Sequence, residues 1–261
     1  MSEAALADQS LFAQNRRAFL LRKLHSLTGV APVGAFMVFH LWTNAKALQG
    51  QEPFDKAVAE ITHTPYLAVL EWGLILLPLL FHAGYGVKLA LDAKYNVSKY
   101  KTTRNWAFTL QRVTGLLAFA FIAFHLYEYW GRKLAGKLAP EQFYPALCQN
   151  MSATVKGVPI VGLIYVLGIA ASVFHFANGL WGFCFSWGVT VSRRSQQMAA
   201  AVFGVLGVAI FLLGANTAIY FATGSSVQDM IFGKKGGSDA RTCVDILQQT
   251  QKPAVVGPVI D

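Results

Sequence analysis

Phe174-His175-Phe176-Ala177-Asn178-Gly179-Leu180-Trp181 sets a histidine inside an apolar run that extends from Val158 to Trp187. A run of that length reads as a membrane-spanning helix, because ~20 residues at 1.5 Å each cross ~30 Å of hydrocarbon. The same pattern occurs earlier, at Phe81-His82-Ala83-Gly84-Tyr85-Gly86-Val87. In both, a glycine follows the histidine by four positions, on the same helix face. An imidazole beside a missing side chain suits a flat, bulky ligand.

The chain holds four further apolar runs. Five spans are predicted: Leu27 to Leu48, Leu67 to Leu91, Trp106 to Trp130, Val158 to Trp187 and Met198 to Thr223. The 261-residue chain is 54% hydrophobic and only 13% charged, where soluble domains run near a quarter charged. The expected fold class is an all-α integral membrane protein of five transmembrane helices, with the first four bundled around the histidines. Its parts are an N-terminal segment, 1–25, a membrane domain, 26–223, and a tail, 224–261. No cleaved signal peptide is expected in residues 1–14.

The net charge of +9 lies beside the apolar runs, so it reads as membrane topology and not as a nucleic-acid surface. The short loops around Lys94 to Arg104 and at Arg193-Arg194 are basic and nearly free of acids. They predict a cytoplasmic N-terminus and an outer C-terminus. The connection Gly131 to Gly157 and the tail then lie outside, each with one cysteine, Cys148 and Cys243, which could pair in an oxidising space. In the tail, Gly233 to Ser238 reads as loop and Val244 to Gln248 as a short amphipathic stretch.

An internal repeat is visible. Leu24-His25-Ser26-Leu27-Thr28-Gly29 and then Phe39-His40-Leu41-Trp42 in span one match Leu110-Gln111-Arg112-Val113-Thr114-Gly115 and then Phe124-His125-Leu126-Tyr127 in span three, with a one-residue difference in spacing. Spans one-two and three-four read as two copies of a helix pair.

Four of the six histidines, His40, His82, His125 and His175, lie one each in spans one to four. Ionisable residues inside a membrane are costly and face the bundle interior. By depth they divide into an outer pair, His40 with His125, roughly 5–10 Å beyond the midplane at 1.5 Å per residue, and an inner pair, His82 with His175. Two histidines facing one another across a bundle are axial ligands for a haem iron. Two such pairs would hold two stacked haems as a wire across the bilayer. Gly84, Gly86 and Gly179, with Gly29, Gly34 and Gly115, would let the macrocycle approach the backbone. A zinc site would want four ligands at one depth. The alternative is a histidine-containing transporter or proton channel without haem, which would want Asp or Glu among the histidines. For haem propionates, Arg22, His25, Ser26, Lys88 and Arg112 lie at the inner end.

At these residues the chain resembles the membrane-anchor cytochrome b subunits of succinate:menaquinone oxidoreductases and quinol:fumarate reductases (respiratory complex II), the type with five spans and two haems b in one polypeptide. The resemblance covers roughly residues 15 to 220. It rests on the repeated segments above, on Leu77-Pro78-Leu79-Leu80-Phe81-His82, on Arg104-Asn105-Trp106 and on Ser186-Trp187-Gly188-Val189-Thr190-Val191. It implies that His82 and His175 hold a high-potential haem near the cytoplasm and His40 and His125 a low-potential haem near the outer face. It implies as partners a flavoprotein carrying FAD, for the dicarboxylate chemistry, and an iron-sulfur protein docked on the basic inner face. Menaquinone or another quinone would react on the outer side, where Glu71, Trp42, Tyr127 and Glu128 are candidates. Some fumarate reductases of this type carry a proton-conducting Glu two residues before the fourth ligand. Here that position is Val173, so compensating proton transfer through it is not expected.

Overall fold

The structure is a computed structural model that describes residues 3–233 together with Cys243, Asp245 and Ile246, with residues 3–13 in backbone only. Among them no β-strand forms, and five helices are long and apolar enough to cross a membrane: Gln14–Gln49, Leu67–Leu91, Thr103–Leu134, Ile160–Ser186 and Arg193–Thr223. The chain is a multi-pass membrane protein.

Three helices outrun the spans read from hydropathy. Helix begins at Glu3 and passes through Arg16, Arg17, Arg22 and Lys23; span three reaches Leu134 and span five starts at Arg193. Apolarity marks only the lipid-buried part, and good helix formers carry the backbone onward into polar surroundings. The connections are also more ordered than a hydropathy reading suggests. Helices Gln51–Thr62 and Phe143–Ser152 fill two of them, and Val227–Phe232 follows span five behind a Ser226–Asp229 capping box. Gly50, at φ 106°, turns the chain between span one and the first of these. In the tail, Lys234–Ser238 and, within the amphipathic stretch, Val244, Leu247 and Gln248 lie outside the described residues, while Asp245 and Ile246 are helical.

Three spans contain a π turn: Gly29–Gly34, which includes Pro32, Glu71–Leu76, and Leu126–Gly131. A π turn accommodates one residue more than the α-helix around it.

The chain forms two compact units, which cut across the three sequence segments. The first comprises Met1–Phe39, Tyr66–Phe119 and Ala171–Val208; the second comprises His40–Pro65, Ala120–Ala170 and Ala209–Asp261. In the first, Gly34 sits against the Phe176 ring and Gly207 against Ala177, the close approach that small residues give membrane helices. The second has a denser aromatic core. Phe54, Tyr144 and Phe221 meet edge to face at 5.5–6.0 Å, and the Tyr144 and Tyr220 hydroxyls lie 2.8 Å apart. Burial pushes the Tyr144 phenol up, so it stays neutral. Beside them a disulfide joins Cys148 to Cys243, with Cα atoms 5.4 Å apart and both residues fully buried. Leu80, Leu117, Leu167 and Val205 are exposed on the spans, as lipid-facing positions must be.

Candidate functional site

Three histidines meet in the first unit. The imidazoles of His82 and His175 stand 6.0 Å apart at 82°, and His25 stacks on His82 at 4.1 Å. His82 Nδ1 lies 2.9 Å from the carbonyl oxygen of His25, and His175 Nδ1 lies 2.9 Å from that of Gln111. A carbonyl only accepts, so both Nδ1 atoms carry the proton and both Nε2 atoms keep a lone pair, that of His175 lying 3.5 Å from the Gln111 side-chain amide nitrogen. His25 and Gln111 hold the same place in the two repeated segments. Their repeats also supply the glycines that face the imidazoles, Gly29 against His82 and Gly115 against His175. The glycines that follow the histidines have a different task. Gly86 lies against the His25 ring, Gly179 against the Gln111 amide, and Gly84 has open space. Gln111 is held in turn by Asn178, whose amide donates to its Oε1 at 2.6 Å, while Gln111 Nε2 donates to the His175 carbonyl at 3.0 Å.

The second unit brings His40 and His125 together, with ring centroids 5.6 Å apart at 70°. His125 Nδ1 lies 3.1 Å from the Tyr165 hydroxyl, and Phe121 and Tyr129 pack on the same imidazole at 6.1 and 5.6 Å. Asn44 donates to the His40 carbonyl at 2.8 Å, and its amide nitrogen also lies 3.4 Å from the ring nitrogens. The repeat explains a discrepancy here. His40 follows Gly29 by eleven residues and His125 follows Gly115 by ten. Between the first two lies the π turn Gly29–Gly34, whereas Gly115 to His125 is α-helical throughout. An extra residue in an α-helix would rotate His40 by about 100°; the π turn absorbs it.

These pairs fit haem. Two imidazoles bonded to a common metal at about 2.0–2.1 Å have centroids roughly 6 Å apart, near the spacing of both pairs. Among the described residues no group of three or more His, Cys, Asp or Glu could hold a metal ion. A two-ligand site suits a metal that brings its remaining ligands with it, as a porphyrin does. The anchored Nδ1 atoms are the outer-shell contacts that orient metal-ligating histidines.

Other candidates are placed less centrally. Lys88 is paired with Asp92 at an exposed position, as is common for surface charges. Ser26 accepts a hydrogen bond from Trp187 Nε1 at 3.3 Å. Arg112 folds over Phe108 and donates to its carbonyl at 2.7 Å, leaving a buried Nε without a partner. Arg22 is exposed. Glu71 opens the π turn of span two in the first unit, while Trp42, Tyr127 and Glu128 belong to the second. Trp42 and Tyr127 are 61% and 72% exposed; Glu128 accepts from Asn150 at 3.2 Å. Gln111, Asn178, Asn44, Tyr165 and Asn150 escaped the reading of the sequence. Gln111 alone carried a signal, its alignment with His25.

Residues 90–214 match the family described as succinate dehydrogenase/fumarate reductase transmembrane subunit. Over 205 residues the chain is 38% identical to the succinate dehydrogenase cytochrome b558 subunit of Bacillus subtilis (strain 168), covering 78% of this chain and 98% of that protein. No solved structure matches significantly. The chain belongs to the succinate dehydrogenase/fumarate reductase transmembrane subunits, as a cytochrome b membrane subunit of an oxidoreductase complex.

Proposed function

We propose that this subunit carries electrons between an iron-sulfur subunit and a quinone through two haems b, His82 and His175 holding the inner one and His40 and His125 the outer. The observation that carries this is the repeated geometry of paired imidazoles, three of whose Nδ1 atoms have an acceptor within 3.1 Å. Bound haem supplies a reversible one-electron couple. The chain's part is to fix the ligand tautomers, exclude water by burial in the bundle, and offer groups at each edge. Toward propionates those groups are His25, Ser26, Arg22 and Arg112, with Lys88 already engaged by Asp92. For a quinone, preferably menaquinone, Glu128 is the protonatable side chain of the second unit, with Trp42 and Tyr127 beside the lipid; Glu71 is a separate candidate in the first.

The membrane domain, 26–223, would lie in the cytoplasmic membrane with 1–25 inside and 224–261 outside. The basic loops support this, and so does the Cys148–Cys243 disulfide, a bond of oxidising compartments. A flavoprotein with FAD and an iron-sulfur protein, the latter seated on the basic inner face, would complete the complex and perform the dicarboxylate chemistry.

The test is haem content in His40→Ala, His82→Ala, His125→Ala and His175→Ala. The first and third are expected to lose one haem and the second and fourth the other. Any other grouping, or a protein without a reduced α-band, refutes the assignment.

A further inference from the structure

We propose that Tyr165 is the positioning residue of the His40–His125 site: its phenol oxygen accepts the Nδ1 proton of His125 and so holds the tautomer and ring plane that leave Nε2 for the iron. This rests on the haem reading above and adds a residue to it. In the first unit both imidazoles are anchored by main-chain carbonyls, of His25 and Gln111, which no substitution can delete. In the second unit the anchor of His125 is a side chain, 3.1 Å away. Tyr165 is itself buried and fixed by Phe121, 5.2 Å from its ring, and by Tyr129 at 6.5 Å. A hydroxyl oxygen has two lone pairs and accepts readily. The Tyr129 ring packs beside the same imidazole, but its hydroxyl interacts with Asn150 and Tyr165, and it is the phenol of Tyr165 that reaches His125 Nδ1. Outer-shell acceptors of this kind raise the basicity of a ligating imidazole and favour the oxidised metal. The hydroxyl therefore sets the redox poise of one site and leaves the other alone.

The experiment is a redox titration of the purified complex, followed optically and by low-temperature electron paramagnetic resonance. The component belonging to the second unit is identified as the one lost in His125→Ala. Tyr165→Phe is expected to raise the midpoint of that component and shift its low-spin signal, or to lose that haem selectively. The component lost in His175→Ala stays unchanged and reports that the protein is folded. Tyr144→Phe removes another buried hydroxyl of the same unit, one engaged with Tyr220 and not with His125, and is expected to leave both midpoints in place. The proposal is overturned if Tyr165→Phe moves neither midpoint, or if Tyr144→Phe moves the same one equally. If His125→Ala retains both haems, the haem reading itself fails along with it.

Discussion

Gly29 faces the imidazole of His82 across a gap too small for any side chain: a Cβ there would lie 2.6 Å from Nδ1. Gly115 stands in the same relation to His175, at 2.8 Å from Cε1. Overpacking of this kind costs about 1–3 kcal/mol, and the ring is the part able to move. Gly29→Ala and Gly115→Ala are each expected to weaken the haem of His82 and His175 while sparing that of His40 and His125. Haem per polypeptide, with a reduced-minus-oxidised spectrum, checks this; equal loss of both haems would point to general misfolding.

The π turn Gly29–Gly34 leads to a second prediction. If it exists to absorb one extra residue, deleting Pro32 should let span one close as α-helix with His40 still in register. Deleting Ala120 from the α-helical stretch of span three has no such relief and turns His125 by about 100°. The first deletion should keep the haem of His40 and His125, and the second should lose it. Loss in both would show that the π turn does more than count residues.

Hydropathy exposed the five spans because lipid demands long apolar stretches, and the four histidines because ionisable groups are rare there. It missed helices Gln51–Thr62 and Phe143–Ser152, which are short and half polar, and it ended span one's helix where apolarity ended and not where the backbone did. The one-residue mismatch between the repeats was visible, but its cause is a backbone geometry that no residue type announces. Gln111 could be found by aligning it with His25. Tyr165 could not, because its relation to His125 spans forty residues and exists only once spans three and four pack. That Gly29 and Gly115 would face the imidazoles of neighbouring helices was hidden for the same reason, since i to i+4 spacing identifies a shared face on one helix and not a contact between two.

The disulfide gives a prediction about stability and compartment together. Closing a loop of 95 residues stabilises by about 2–4 kcal/mol in typical proteins. Cys148→Ser should therefore lower the Tm of the detergent-solubilised subunit without changing its haem content. In membranes isolated under alkylating, non-reducing conditions, Cys184, the free cysteine, should label on denaturation, and Cys148 and Cys243 only after reduction. Labelling of all three before reduction would argue against an outer location for this end of the molecule.

Val173 is buried, 2% exposed, two residues before His175. That position offers no carboxylate that could carry protons. If, as proposed, electrons pass from the cytoplasmic side to a quinone reduced outside, they would carry net negative charge outward, a movement favoured by a membrane potential positive outside. Collapsing that potential removes the help. Succinate-dependent menaquinone reduction in intact cells or right-side-out vesicles is expected to slow on adding an uncoupler, and quinol oxidation by fumarate to be relieved by it. Val173→Glu, which restores a protonatable group beside His175, should blunt both responses if it retains both haems. A succinate-dependent rate indifferent to the uncoupler in the wild-type protein would mean that charge does not cross the membrane with the electrons, and would place the quinone chemistry on the cytoplasmic side.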